Sequence, residues 1–338
     1  MMSYIVRRLL LSVVIIVAVS ILTFLLTRVV PSAPARVWLG PHATREQISS
    51  LRIRLGLDKP IPIQYYRYVK DFLRGDWGMS IQSHQPVLRE LMTYLPPSVE
   101  LISLGICLAS LIGISLGVLS AARAGTMLDH ISRLVSVGGM ALPIFWFAMI
   151  LQLVFFKELK LFPLRGRVDL VIELTHPIKH LTGLYLFDSL VTGNIAAFRS
   201  ALGHMILPGI SLAIYSAGMF TRMTRAAMLE ILGTDYIRTA KAYGLPELRI
   251  LVIYALRNAL APVITIWTMS IAFMLVETFL IESVFSWPGI GLYAARAFMT
   301  IDYPAIMGIT LLICLTYIVL NLVADICLAL VDPRIRLQ

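Results

Sequence analysis

Several sets of residues in this sequence have types or spacings that could do chemistry. A basic stretch at 234–262, TDYIRTAKAYGLPELRILVIYALRNALAP, carries Arg238, Lys241, Arg249 and Arg257 around Gly244, between two strongly apolar segments. Cations on a short helix-forming segment suit charge-assisted contacts with acidic or carbonyl groups of a partner. Acids inside apolar runs form a second set, because a charge removed from water is costly unless it is paired or used. Glu277 is the deepest of these and suits either the lining of a polar path or an ion pair with a neighbouring subunit. Glu282 and Asp325 lie nearer run ends, where interfacial polarity or loop capping also accounts for them. Glu277 and Glu282 are the candidate path residues.

Other patterns point away from enzymatic chemistry. GISLG at 113–117 matches the GxSxG elbow of serine hydrolases, but it sits inside an apolar run with no histidine in the core of any run. The elbow needs a strand–turn–helix context and a base within reach. Gly113 and Gly117, four apart, instead give the spacing that lets membrane helices approach closely. The six histidines are dispersed and no HExxH occurs. Cys107, Cys314 and Cys327 lack paired spacing, so they read as small buried hydrophobes and not as a disulfide or metal framework. No catalytic residue, bound cofactor or metal is expected on this chain. With no GxxxxGK[ST] phosphate loop, ATP-driven work would need another polypeptide to hydrolyse the nucleotide.

The elements that must position these residues follow from composition. The chain has 338 residues, 58% hydrophobic and 14% charged, whereas charged residues make up roughly a quarter of soluble domains. Six runs long enough to cross a bilayer as helices fall near 9–30, 98–121, 131–156, 203–224, 259–285 and 305–331. The first is too long for a signal-peptide core and is a retained span. The expected class is an all-α membrane protein with six transmembrane helices. Its parts are residues 1–30 with the first span, an extracytoplasmic insertion at 31–97, and a core at 98–338 with a coupling segment at about 225–258.

The formal charge of +10 does not mark a nucleic-acid binder, because the basic residues are scattered and no aromatic-interleaved basic module occurs. Membrane topology explains them. Arg7 and Arg8, Arg123 and Arg133, the cations from Arg222 to Arg257, and Arg334 and Arg336 fall on one side of six spans, which the positive-inside rule makes cytoplasmic. Both termini are then cytoplasmic. The long loops 31–97 and 157–202 are also basic, but long loops count for little in that rule.

Within the insertion, helices are expected around 44–56 after Thr44 and over QYYRYVKDFLRG, with a turn at DKPIP. Loop 157–202 shows no long period. In the basic stretch, Gly233 ends a helix and Thr234 caps a new one, on which Ile237, Ala240 and Tyr243 or Gly244 share a face away from Arg238 and Lys241. Gly244 permits a turn, and Pro246 suits the first position of the next helix. This short helix cannot cross a membrane and is long enough to dock on something else. Its apolar face, Ile237, Ala240 and Tyr243, is the expected docking surface.

At this segment the sequence resembles a known family. YIRTAKAYGL followed by YALRNALAPVIT is similar to the EAA loop of permease subunits of bacterial and archaeal ABC importers, in the dipeptide, oligopeptide and nickel branch. The likeness extends through LGLDKPIPIQYYRYVKDFLRGDWGMS at 55–80, ALPIFWFAM at 141–149, HMILPGISL at 204–212, ESVFSWPGIGL with DYP at 302–304, and DPRIR at 332–336. It implies a MetI-like permease of the cytoplasmic (inner) membrane, embedded in lipid, that pairs with a second homologous permease. It also implies two ABC ATPase subunits binding ATP and Mg, and an extracytoplasmic substrate-binding protein. The matching coupling residues are Asp235, Tyr236, Ile237, Arg238, Thr239, Ala240, Lys241, Gly244, Leu245, Arg257 and Asn258. Di- or oligopeptides are the solute that the branch implies; an ion-gradient-driven secondary transporter or channel is the alternative. Two departures stand out: Pro31-Ser32-Ala33-Pro34 where the family has Pro-Gly-Asp-Pro, and Glu277 where it commonly has a small residue.

Overall fold

The computed structural model describes residues 2–28, 44–54 and 58–331. The Pro31–Pro34 departure and the C-terminal arginines lie outside them, and the side chain of Asp325 is likewise not described. The described backbone is helical, with only an isolated bridge between Met79 and Pro86. Apolar segments that cannot hydrogen-bond to their surroundings satisfy their backbone internally, and the helix does this within one segment.

The helices in order are α1 Met2–Arg28, α2 Arg45–Arg54, α3 Ile61–Leu73, α4 Val87–Ala122, α5 Met127–Ala141, α6 Ile144–Glu158, α7 Leu170–Thr175, α8 Tyr185–Val191, α9 Ile195–Leu232, α10 Asp235–Ala242, α11 Glu247–Val284, α12 Ile290–Met299 and α13 Tyr303–Val331. Among the described residues α4, α9, α11 and α13 are long and apolar enough to cross a bilayer, and α5 with α6 makes a fifth if the bent pair is one span. In α1 the described apolar stretch is Leu10–Leu26.

Two elements differ from the sequence expectation. The run 131–156 is not one straight helix: α5 and α6 meet at 107°. Pro143 disfavours the helical region for Leu142, whose φ of −80° and ψ of 133° are extended, and so the bend falls there. Conversely, the helix of the run 98–121 begins earlier, inside the segment assigned to the insertion: α4 starts at Val87 and continues through Pro96 and Pro97.

The described residues form two compact units, one drawn from 1–95 with 293–319 and the other from 96–292 with 320–331. In the first, Phe24 of α1 packs against Tyr65 and Tyr68 of α3, with ring centroids 5.3 and 5.8 Å apart. Ser20 Oγ and Tyr65 OH share a hydrogen bond of 2.7 Å. Buried Asp302 accepts from Ser80 Oγ (2.6 Å) and Gln82 N (3.2 Å), tying the loop before α4 to the start of α13.

In the second unit α9 is the central helix. A Cβ added at Gly113 would lie 2.6 Å from Phe220 Cβ, and one at Gly117 2.6 Å from Thr224 Cβ. The 113–117 pattern therefore serves close packing of α4 on α9, as the spacing predicts. On the other side a Cβ at Gly218 would lie 2.7 Å from Ser136 O, and Ser136 Oγ donates to Gly218 O at 2.7 Å. Loop 157–202, irregular in sequence, is organised by two buried acids. Glu100 takes a hydrogen bond from Arg167 and another from Leu186 N (2.6 Å), while the Arg167 guanidinium lies 3.5 Å from the centre of the Tyr185 ring. Asp188 accepts from the backbone N–H groups of Leu181, Thr182 and Gly183 and from Thr182 Oγ1.

Candidate functional site: the α10 segment and the acids of α11

α10 begins where Gly233 closes α9. Thr234 occupies the cap position with extended backbone, yet its hydroxyl does not cap α10; it donates back to Ile231 O at 2.6 Å. The expected capping side chain is thus used to end the preceding helix. At the far end Gly244 has φ of +69°, with its N–H bonded to Lys241 O (2.9 Å) and Leu245 N bonded to Ala240 O (3.3 Å). A Cβ at Gly244 would meet nothing within 4 Å, so the requirement for glycine is conformational and not one of space within this chain.

Ile237 and Ala240 are buried in a cluster with Ala121 of α4, Met228 of α9, and Ile250, Ala255 and Ala259 of α11. Half-buried Leu245 packs against the same cluster. This corrects the expectation that Ile237, Ala240 and Tyr243 together form a docking surface. The first two are consumed inside the chain, and Tyr243 is 82% exposed. The helical period groups side chains onto faces, and here the apolar face closes the ends of three helices of its own unit.

The free face is therefore the polar one. Asp235, Tyr236, Arg238, Thr239 and Lys241 are exposed, as are Arg257 and Asn258. Arg238 Nη1 contacts Asp235 Oδ1 at 3.1 Å, and both side chains are largely solvated, so this pair adds little stability. Asn258 Nδ2 donates to Tyr236 OH (2.9 Å) and Tyr254 O (3.0 Å), linking α10 to the first turns of α11. Those turns, Ile250–Leu256, are π-helical. The arrangement presents cations and tyrosines on a packed mount, and no group of three or more His, Cys, Asp or Glu that could hold a metal ion occurs among the described residues.

The two acids of α11 have different environments. Glu282 is wholly buried and accepts hydrogen bonds from Ser98 Oγ, Gly291 N (2.7 Å) and Leu292 N (3.1 Å). It caps the first turn of α12, where a carboxylate also complements the helix dipole. Ser98 Oγ in turn accepts from Ile290 N at 2.8 Å, and Trp287 Nε1 donates to Pro97 O at 3.0 Å. The path role expected for Glu282 is thereby corrected: its lone pairs are spent on a structural corner, the loop-capping alternative. Glu277 is half-buried, and its buried Oε2 has no hydrogen-bond partner among the described residues.

Sequence reasoning missed a further pair. Asp129 at the start of α5 is 1% exposed and faces Arg225 of α9, whose Nε lies 2.7 Å from Oδ1 and Nη2 2.9 Å from Oδ2. Arg225 was visible only as one of many topological charges. An acid just before an apolar run, among the basic residues Arg123 and Arg133, was the available signal for Asp129.

Comparison with known proteins places these features in a family. The model for the binding-protein-dependent transport system inner membrane component matches residues 113–337, and that for the N-terminal part of such membrane components matches 1–102. A probable D,D-dipeptide transport system permease of Escherichia coli is 40% identical over 323 residues, covering 96% of this chain and 94% of the relative. A dipeptide transport system permease of Alkalihalophilus pseudofirmus is 36% identical, covering 99% and 100%. A di/tripeptide transport system permease of Pseudomonas aeruginosa is 38% identical, covering 100% of each chain. Among solved structures, an inward-facing MetNI methionine ABC transporter chain shares the fold at a TM-score of 0.50 and 15% identity, covering 70% of this chain and 94% of that one.

Proposed function

Because the chain belongs to the family of binding-protein-dependent transport system inner membrane components, we propose that it is the permease subunit of an ATP-driven importer of short peptides. Relatives matching it over nearly their whole length are named for dipeptide, D,D-dipeptide and di/tripeptide transport, which supports a peptide solute. The observation that carries the coupling role is the mounting of α10. Its apolar side is locked onto the ends of α4, α9 and α11, and its cationic side is free. A helix so held passes a push on its exposed face into three long helices at once, a two-state coupling between distant sites.

In this reading Arg238, Thr239, Lys241 and Tyr243 face one of two ABC ATPase subunits, which supply ATP and Mg chemistry. A second homologous permease completes the path, and a substrate-binding protein delivers the solute from the extracytoplasmic side. α1 provides the sixth span, both termini and α10 are cytoplasmic, and residues 31–97 are outside. Glu277, with an unsatisfied carboxylate oxygen, lines the path or its mouth.

Reconstitution tests this. The chain is co-assembled with its partner permease, ATPases and binding protein in proteoliposomes, and uptake of labelled dipeptides is followed. Uptake that requires both ATP and the loaded binding protein is the expected result. Uptake by this chain alone under an ion gradient overturns it. Labelling of a cysteine placed at Gln64 only after cell permeabilisation would overturn the topology.

A further inference from the structure

We infer that the Asp129–Arg225 pair is a register lock that makes α5 follow α10, a positioning pair for coupling that lies outside the α10 segment itself. The inference rests on the coupling role proposed above.

Asp129 gathers three other parts of the unit. Besides the two-pronged contact with Arg225 of α9, its Oδ1 accepts from Ser120 Oγ of α4 (2.6 Å) and its Oδ2 from Gly125 N in the α4–α5 turn (3.0 Å). Arg133 Nε lies 3.6 Å from Oδ1, one turn along α5. A carboxylate filled by a planar guanidinium fork has a narrow set of allowed geometries, because both nitrogens must keep their oxygens.

This network adjoins the α10 mount on the same two helices. Ser120 precedes Ala121, and Arg225 is one turn before Met228; Ala121 and Met228 both belong to the cluster that buries Ile237 and Ala240. That cluster, with the half-buried residues packed on it, draws on α4, α9, α10 and α11 and contains no residue of α5. A displacement of α10 therefore reaches α4 and α9 through apolar packing, and the charged network is placed to extend it to α5.

Besides this network, α5 meets α9 through one hydrogen bond, from Ser136 Oγ to Gly218 O (2.7 Å), and through close packing of Gly139 against Ile214 and of Gly218 against Ser136 and Met140. Packed helices shear by small sliding motions, and a single neutral hydroxyl–carbonyl bond resists this less than a bidentate ion pair does. A slip of α9 along α5 would separate Arg225 from Asp129 and leave the buried carboxylate without its two-pronged partner. Buried pairs contribute less to net stability than to fixing one arrangement over its neighbours, and a register lock is the best-attested form of that role.

The test uses the full complex with its ATPases and loaded binding protein, comparing wild type, Arg225→Gln, Arg225→Lys and, on the α10 face, Lys241→Glu. Assembly, ATP hydrolysis and solute imported per ATP hydrolysed are measured together. In assembled Arg225→Gln complexes ATP hydrolysis should stay within about twofold of wild type while solute per ATP falls about tenfold, the size of an ordinary coupling free energy. Arg225→Lys, which keeps the charge and loses the fork, should fall between. An unchanged ratio in assembled Arg225→Gln complexes overturns the lock. If Arg225→Gln does not assemble, the decision passes to Arg225→Lys, for which an unchanged ratio again overturns it. If Lys241→Glu uncouples and the Arg225 variants do not, the lock alone fails; if Lys241→Glu is also without effect, the coupling role of α10 fails with it.

Discussion

The corner around Glu282 and the segment around α10 use the same kinds of residue to opposite ends. At the corner, a carboxylate, a serine hydroxyl and an indole N–H are all buried, and each has a partner within residues 96–292. At α10 the polar side chains point to solvent, and only Ile237 and Ala240 are buried. Polar groups that are fully paired inside a unit define its shape, whereas polar groups left in water on a rigid mount remain free to meet a partner. The difference teaches that the position of an ionisable residue in an apolar run does not assign it a role. The disposition of its lone pairs or protons does.

The largest effect that would sharpen this contrast is Glu282→Leu. It strands the N–H groups of Gly291 and Leu292 and the hydroxyl of Ser98, each worth roughly 1–3 kcal/mol when buried without a partner. Purified protein should unfold at a markedly lower temperature and incorporate poorly into complexes. A thermal midpoint equal to wild type would show that the corner is not the structural anchor described.

Charge reversal at α10 should do the converse. The double substitution Arg238→Glu with Lys241→Glu is expected to leave stability within about 0.5 kcal/mol, as for other exposed positions. ATP-dependent uptake should fall by tenfold or more, the scale of an ordinary coupling energy. Normal uptake, or a defect confined to membrane insertion, would break the comparison from its other side.

Gly244 offers an intermediate case. Gly244→Ala forces a side chain into a left-handed backbone conformation, at a cost of about 1–2 kcal/mol. Gly244→Asn should be milder, since asparagine tolerates that region better. Equal uptake and equal melting for wild type and both variants would remove the conformational argument.

Glu277 tests the same principle inside α11. With one oxygen lacking a partner, Glu277→Gln should leave assembly intact and reduce uptake of cationic peptides several-fold more than neutral ones, as expected when one charge pair in a partly dry site is lost. Equal reduction for both classes, or lost assembly, would assign Glu277 to an ion pair with another subunit instead.

The smallest effect concerns Asp188. Burial pushes its carboxyl pKa up, but the hydrogen bonds from Thr182 side chain and backbone, Gly183 and Leu181 prevail and hold it below the ordinary value. A depressed pKa contributes stability that is present above the unfolded value, near 4 for aspartate, and is lost as pH falls through the folded one. Relative to the intrinsic rate at each pH, protection of residues 181–188 from hydrogen exchange should fall below about pH 4 in wild type and be lower already at neutral pH in Asp188→Asn. Identical exchange in the two proteins would show that these bonds do not hold the loop.

Much of this was legible in the chain itself. Apolar run length located α4, α9, α11 and α13, because a backbone in hydrocarbon has no alternative to internal hydrogen bonding. The four-residue spacing of Gly113 and Gly117 announced a close helix crossing, and Gly244 with Pro246 announced the break after α10, since both are statements about local backbone geometry. The EAA-like segment, with its companion motifs, gave the family resemblance that the comparisons bear out.

What only the tertiary structure decided was which partner each grouped residue meets. The helical period places Ile237 and Ala240 together, but their burial depends on Ala121 and Ala259, distant in sequence and on different helices. Glu282 became a cap because Ser98 and the first turn of α12 converge on it, and Asp129 gained its importance from Arg225 on α9. Local spacing fixes which side chains share a face. The contacts that decide whether that face is covered are made between segments far apart in the chain, and their energies appear only once those segments pack.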